Sequence, residues 1–132
     1  VMSVIAIVVS VLLALVFAQA GQNKFSGSEL ARVCPGHLGI TPGTYRLVGV
    51  LEILAAIGLI IGVIAIPELA AVASIGLALL MVGAVALHLR AGDPFRIAPG
   101  FLQRRAESIR GWLPAAALGL LAIANALLIL AS

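Results

Sequence analysis

The chain has 132 residues, of which 63% are hydrophobic and 10% charged, and its formal net charge is +3. Its mean hydropathy is +1.25, and because a soluble domain carries about 25% charged residues, this composition excludes a soluble monomer. The basic residues lie in two short segments rather than along a folded surface, which argues against a nucleic-acid partner.

The first predicted element is a transmembrane helix over about residues 3–21, an apolar run interrupted only by Ser10 and Gln19. Ala18-Gln19-Ala20 resembles the small-residue cleavage site of a secretory signal. However, the run is longer than the roughly 7–15 apolar residues of such a signal, and no Lys or Arg precedes it. We therefore favour a retained helix over a cleaved signal.

Residues 22–43 are predicted to form a loop, because Gly and Pro recur along them and no apolar period survives. Cys34 and His37 in this segment are two potential metal ligands, which are too few for a metal site. The single cysteine allows neither an intramolecular disulfide nor a C-x-x-C pair. We therefore predict an ordinary thiol and no metal.

Three more apolar runs predict transmembrane helices over about residues 45–65, 69–89 and 111–131. Each has about the 20 residues needed to cross the hydrocarbon core of a bilayer. The runs over residues 45–65 and 69–89 are separated only by residues 66–68, which predicts that their helices form an antiparallel hairpin. The fold predicted for residues 1–132 is one domain, an all-α membrane protein consisting of a four-transmembrane-helix bundle with short loops.

The last two helices are joined by a second polar loop over residues 90–110, in which Pro94, Pro99 and Gly100 are the breakers. In its later part, residues 101–112, a helix would set apolar side chains toward lipid (Phe101, Leu102, Ile109 and Trp112) and charged ones toward water (Arg104, Glu107 and Arg110). This pattern predicts a short interfacial helix.

The distribution of basic residues predicts the orientation. The first loop or its edge holds Lys24, Arg32 and Arg46, and the second holds Arg90, Arg96, Arg104, Arg105 and Arg110. These are all the Lys and Arg residues of the chain, so the positive-inside rule predicts that both loops are cytoplasmic and both termini outside. Membrane lipids with anionic headgroups are the expected contacts of these loops.

Small residues predict the helix interfaces, because lipid offers no hydrophobic drive for association and close backbone approach is needed. The small residues at suitable spacing are Gly58 and Gly62 on the second span, Ala73, Gly76 and Gly83 on the third, and Ala115, Gly119, Ala122 and Ala126 on the fourth.

Glu52 is the candidate functional residue. It lies about seven residues into the second span, or about 10 Å from the boundary, where a carboxylate costs on the order of 2.5–3.5 kcal/mol. It must be protonated, paired or hydrated there. Polar residues at the same end of the bundle are the predicted partners: Gln19, Gln22, Asn23, Lys24, His88 and Arg90.

These residues predict a ligand-binding pocket that opens toward the cytoplasm and takes a small molecule, a quinone headgroup or a proton. The alternative is a structural ion pair or hydrogen-bond network that holds three helices together. Deep in the last span, Asn125 is predicted to be an interhelical hydrogen-bond partner rather than a substrate contact.

Three segments of the chain resemble the DoxX-like family of small membrane proteins. Residues 20–25, AGQNKF, resemble the A-G-x-x-K-L/F that ends the family's first helix. Residues 49–59, GVLEILAAIGL, resemble its G-x-x-E-L-L-G-A-x-G-L, with Ala55 where the family often has glycine. Residues 88–93, HLRAGD, resemble its H-x-R-x-G-D/E. The order and spacing match across essentially the whole chain.

The resemblance implies a four-helix protein of the bacterial cytoplasmic (inner) membrane. The family is named for a membrane subunit linked with thiosulfate:quinone oxidoreduction, and other members are associated with redox-stress complexes. The leading hypothesis is therefore a non-catalytic membrane subunit or anchor of a redox system, with the cofactor unknown, quinone as the candidate ligand and a soluble oxidoreductase as the candidate partner.

Two alternatives remain open at this point. One is a small-molecule or lipid transporter, expected to be a homo-oligomer because four helices are few for alternating access. The other is a membrane assembly or scaffold protein, since distant relatives act as assembly chaperones or cargo receptors. No nucleophile–base pair or haem-ligand pair stands out, so no catalytic residue is predicted.

Overall fold

The computed structural model describes residues 2–26, 29–92 and 113–132. These parts of the chain form helices only, joined by turns and short connections. In chain order they are α1 (Val4–Asn23), α2 (Glu29–Leu38), α3 (Pro42–Ile64), α4 (Pro67–Arg90) and α5 (Leu113–Leu130). The predicted interfacial helix over residues 101–112 lies outside the described residues.

The four apolar helices pack as a bundle. By length and composition, α1, α3 and α4 are able to cross a membrane. The apolar α5 is shorter, with 18 residues, or about 27 Å at about 1.5 Å per residue, and it packs along α4. The predicted all-α bundle of transmembrane helices is therefore confirmed, and the chain is a multi-pass membrane protein.

Capping residues account for where the long helices begin. The hydroxyl of Ser3 accepts a hydrogen bond from the backbone N–H of Ala6, and Thr41 caps α3 in the same way. Pro42 and Pro67 stand in the first turns of α3 and α4, where their missing N–H has no partner to lose. α3 therefore begins three residues before its predicted start, and the α3–α4 connection shortens to two residues.

The short helix α2 corrects the predicted loop over residues 22–43. It is amphipathic, with Cys34, Pro35 and Leu38 buried and Arg32 exposed. The prediction was wrong because it took every Pro and Gly as a breaker, whereas Pro35 and Gly36 both lie within α2. The helix ends where the glycines predict a stop.

The bundle has two distinct ends. The backbone N–H of Ser3 donates to Oγ of Ser132, 3.4 Å away, and Met2, Pro67 and Ser132 line one shallow recess. Both termini therefore lie at the same end as the α3–α4 connection, as predicted. The opposite end carries α2, the end of α1 and the start of α3. Which end faces the cytoplasm stays a prediction.

Small residues mediate several of the predicted interfaces. Cβ atoms built on Gly58 and Gly62 of α3 would contact Ala73 and Ala70 of α4. On α5 a Cβ atom at Gly119 would lie 3.0 Å from Cβ of Met81. Ala122 and Ala126 of α5 are buried, and Ala115 packs against the edge of the core. Close backbone approach therefore joins α3 to α4 and α4 to α5.

Two predicted packing positions are wrong. Nothing lies within 4 Å of a Cβ atom built on Gly76 or Gly83 in the described part of the chain. Their spacing suggested an interface, but spacing alone does not say which side of a helix meets its neighbour. These two glycines of α4 point away from the bundle.

Candidate functional site

The closest approach of α1 and α3 is a contact between two glycines. A Cβ atom built on Gly21 would lie 2.6 Å from the carbonyl oxygen of Gly49, and one built on Gly49 would lie 2.9 Å from the carbonyl oxygen of Gly21. Real Cβ atoms do not come so near a carbonyl oxygen. Only glycine at both positions lets the two backbones touch.

A charged residue follows each of these glycines by three positions. Nζ of Lys24 lies 2.8 Å from Oε2 of Glu52. Helical side chains lean toward the N-terminus of their own helix, and α1 and α3 run in opposite directions. Lys24 therefore leans back along α1 while Glu52 leans toward the start of α3, and the two side chains meet beside the glycine contact.

The two partners differ in their burial. The side chain of Glu52 is 3% exposed, and that of Lys24 is 16% exposed. A charge in an apolar interior is costly unless it is paired, so the lysine is what makes the buried carboxylate tolerable. The lysine is therefore the more accessible partner of the pair.

The surroundings of Lys24 add a carbonyl and an aromatic ring. Its Nζ lies 3.5 Å from the carbonyl oxygen of Ala20 and 5.4 Å from the centroid of the Tyr45 ring, within the range of a cation–π contact. The Tyr45 side chain also makes a hydrogen-bonding contact with that of Cys34 in α2. Tyr45 thus stands between α2 and the ion pair.

Arg90, a predicted member of the pocket, binds α2 and not Glu52. Its Nη2 donates to the carbonyl oxygen of Leu38, 3.1 Å away, at the end of α2. The predicted His88 lies two residues earlier on α4 and is half-buried. The last turn of α4 therefore meets the site through α2.

The predicted amides lie on an exposed face of α1. Nε2 of Gln19 donates to Oδ1 of Asn23, 2.9 Å away, and both side chains, like that of Gln22, are exposed. The structure brings Lys24 to Glu52 but turns these three residues elsewhere. A part for them in ligand binding stays a prediction.

A second polar cluster lies inside the bundle, toward the end with the termini. Nδ2 of Asn125 donates to Oγ of Ser10 at 3.0 Å and to Oγ of Ser74 at 2.9 Å, and all three side chains are fully buried. The predicted interhelical hydrogen bonding of Asn125 is confirmed. Its partners were not predicted, although a lone serine within an apolar span was the available signal.

An apolar layer separates the two polar levels. The side chains of Leu13, Phe17, Leu59 and Leu77 are at most 1% exposed. Along α1, the eleven residues from Ser10 to the glycine contact correspond to about 16 Å. The bundle interior thus alternates polar, apolar and polar levels.

The two potential metal ligands of α2 lie on different sides of the helix, since Cys34 is buried and His37 exposed. Across residues 2–26, 29–92 and 113–132, no three His, Cys, Asp or Glu side chains come together. The candidate site among the described residues is therefore the ion pair with its tyrosine.

Comparison with known proteins gives one match. The sequence profile of the DoxX-like family matches residues 8–125. The matched region includes both polar levels and the glycine contact. No curated protein and no solved structure matches the chain significantly.

Proposed function

The chain belongs to the DoxX-like family, and from this membership and the buried Lys24–Glu52 pair we propose that it is a non-catalytic membrane subunit of a quinone-linked redox system. In this proposal Lys24 binds the quinone headgroup, and a soluble oxidoreductase docks at the same end of the bundle. The observation that carries it is a buried ion pair whose lysine is the more exposed partner.

The chemistry of Lys24 suits a quinone carbonyl. An ammonium group has three N–H donors, and in the described structure Glu52 and the Ala20 carbonyl engage two of them. The third is available to a carbonyl oxygen. The Tyr45 ring beside it offers a flat face on which a planar headgroup stacks.

The apolar exterior of the bundle suits the isoprenoid tail of a quinone. Leu47 and Leu51 on α3 are 56% and 41% exposed, and they lie within two turns of the ion pair. An isoprenoid tail would run along such apolar side chains in the lipid while the headgroup stays near the boundary. This end of the bundle also exposes the guanidinium of Arg32 on α2, which favours a partner with an acidic surface.

The orientation supports the same arrangement. Under the positive-inside rule the site end faces the cytoplasm, and in a bacterium the membrane is the inner one. A cytoplasmic oxidoreductase then reaches the headgroup site directly.

Binding of a short-chain ubiquinone to the purified protein, measured by calorimetry in mild detergent, tests the proposal. The double variant Lys24→Met with Glu52→Gln removes both charges and leaves neither one unpaired. We expect its affinity to fall at least about tenfold, because the donor to the carbonyl is gone. Arg46→Gln, an exposed position at the same end, is the matched control and should bind like the wild type. Equal affinities, or no binding by the folded wild type, would refute the proposal.

A proton-coupled transporter is the second candidate, and the two polar levels inside one bundle favour it. In this version Glu52 exchanges its proton during transport, and a homo-oligomer provides the helices needed for alternating access. Proteoliposomes that contain a pH-sensitive dye would report the coupled proton flux. Flux that is unchanged in Glu52→Gln, or absent in the wild type, would eliminate this candidate.

A further inference from the structure

We infer that α2 is a cover over the Lys24–Glu52 site and that Arg90 is the latch that holds the cover in place. The inference rests on the proposed function, because it assigns control of access to the same Lys24–Glu52 site. The contacts that carry it lie between α2 and the ends of α3 and α4.

The buried face of α2 is turned toward the site. Cys34, Pro35 and Leu38 are buried while Arg32 and His37 are exposed, and the helix packs against α3 and α4. The Cys34 side chain contacts Tyr45, whose ring lies beside Lys24. Displacement of α2 would therefore uncover the tyrosine and widen the access to the lysine, which is 16% exposed with α2 in place.

The end of α2 is built to receive Arg90. The N–H of Ile40 donates to the carbonyl of Pro35 at 3.0 Å and the N–H of Gly39 to the carbonyl of Gly36 at 3.2 Å. This pattern is a Schellman motif, with Gly39 at a φ of +73°. It leaves the Leu38 carbonyl to the guanidinium of Arg90, 3.1 Å away, and a cation at a helix C-terminus is favourable.

Gly39 also makes room for the latch. A Cβ atom built on it would lie 3.2 Å from Nη2 of Arg90, closer than such contacts normally are. The same glycine thus ends α2 in a conformation that other residues rarely adopt and lets the guanidinium approach the helix end.

The cover is held less firmly than the four long helices. It makes far fewer contacts with α3 and α4 than neighbouring long helices make with one another, and α1, α3, α4 and α5 share a continuous apolar core. Segments with few buried contacts open at lower free energy than the core does. Loss of Arg90 should therefore open α2 without unfolding the bundle.

The only cysteine of the chain reports this opening, because Cys34 lies on the buried face of α2. The experiment is labelling of the full-length protein with N-ethylmaleimide in mild detergent, followed by intact mass. We expect Arg90→Gln to label about tenfold faster than the wild type, because one charge-assisted hydrogen bond is lost. Arg90→Lys keeps a cation at the helix end and should restore slow labelling.

Arg46→Gln is the matched control for the lost charge and should label like the wild type. Gly39→Ala is a second route to the same result, since its side chain displaces the guanidinium, and it too should label faster. The thermal midpoint of each variant separates local opening, which leaves it nearly unchanged, from global unfolding.

Labelling of Arg90→Gln at the rate of Arg46→Gln would overturn the inference, as would a wild-type thiol that already reacts like a free one. A lowered thermal midpoint that accounts for the faster labelling would overturn it as well. No quinone is used in this experiment, so its failure leaves the quinone proposal standing, and failure of quinone binding leaves the cover standing.

Discussion

Lys24 and Glu52 each lie three residues after a glycine of the α1–α3 contact, and their side chains meet at a distance of 2.8 Å. The shared offset has a physical cause. The backbones of two antiparallel helices touch at the glycines, and helical side chains lean toward the N-terminus of their own helix. A residue about one turn after each glycine therefore leans back toward the contact, where the two side chains form a short ion pair. The ion pair therefore depends on the absence of two side chains that are not themselves part of it.

The first prediction concerns this glycine contact. Gly21→Ala and Gly49→Ala should each destabilise the protein by about 1–3 kcal/mol, because the new methyl group overlaps a backbone carbonyl and forces α1 from α3. The measurement is the thermal midpoint in detergent, together with quinone binding, which should weaken in parallel as the lysine moves away.

Gly83→Ala provides the matched control. Nothing described lies within 4 Å of a Cβ atom at this position of α4, and alanine is favoured over glycine in a helix by about 0.5–1 kcal/mol. This variant should be neutral or slightly more stable. If Gly21→Ala behaved in the same way, the close approach of α1 and α3 would be wrong.

The second prediction concerns the ion pair itself. Lys24→Met leaves a buried carboxylate without its partner and should cost about 3–5 kcal/mol, whereas adding Glu52→Gln should recover much of this loss. The thermal midpoints of the two single variants, the double variant and the wild type form a double-mutant cycle. Glu68→Gln, at an exposed position in the first turn of α4, is the control and should be nearly neutral. Additive effects of the two changes would mean that the pair does not interact.

The number and order of the spans were predictable from the sequence because hydrocarbon thickness sets the length of an apolar run. Glu52 was also predictable, since a carboxylate inside such a run is costly in isolation. Its partner Lys24 was predicted only as one of six polar residues, because the sequence does not show which face of α1 turns toward α3. That face follows from the contact of Gly21 with Gly49, which depends on both helices at once.

The errors in the sequence-based prediction have the same cause, because the sequence does not show which face of a helix packs against its neighbours. Gly76 and Gly83 have the spacing of an interface but point away from the bundle, because the packing side of α4 is decided by Ala70, Ala73 and the residues facing α5. The helix α2 was predicted as loop because Pro35 and the glycines outweighed a short apolar stripe. This helix is stabilised by packing onto α3 and α4, and such long-range contacts cannot be predicted from the local sequence.

The third prediction concerns the inner polar cluster. Ser10→Ala and Ser74→Ala should each lower the stability by about 0.6 kcal/mol, the average for a hydrogen bond between membrane helices. In an Asn125→Leu background the same changes should have almost no effect, because the donor is absent and its unpartnered Oδ1 is removed as well. Thermal midpoints of the single and combined variants measure the coupling. Undiminished effects of the serine changes in the leucine background would contradict the cluster.

The fourth prediction concerns the orientation of the bundle. The structure places Ser3 and Ser132 together, 3.4 Å apart at the closest atoms, with the α3–α4 connection at the same end, so one fusion reports the side of all three. Alkaline phosphatase folds only outside the cytoplasm; fused after Ser132 it should be active, because all the basic residues fall in or beside the two polar segments that the positive-inside rule predicts to be cytoplasmic. The same enzyme inserted within residues 95–105 should be inactive, and a reporter that works only in the cytoplasm should show the reverse. If the insertion within residues 95–105 were active and the fusion after Ser132 inactive, the predicted orientation would be reversed. The Lys24–Glu52 site would then lie on the outer side, out of reach of a cytoplasmic oxidoreductase.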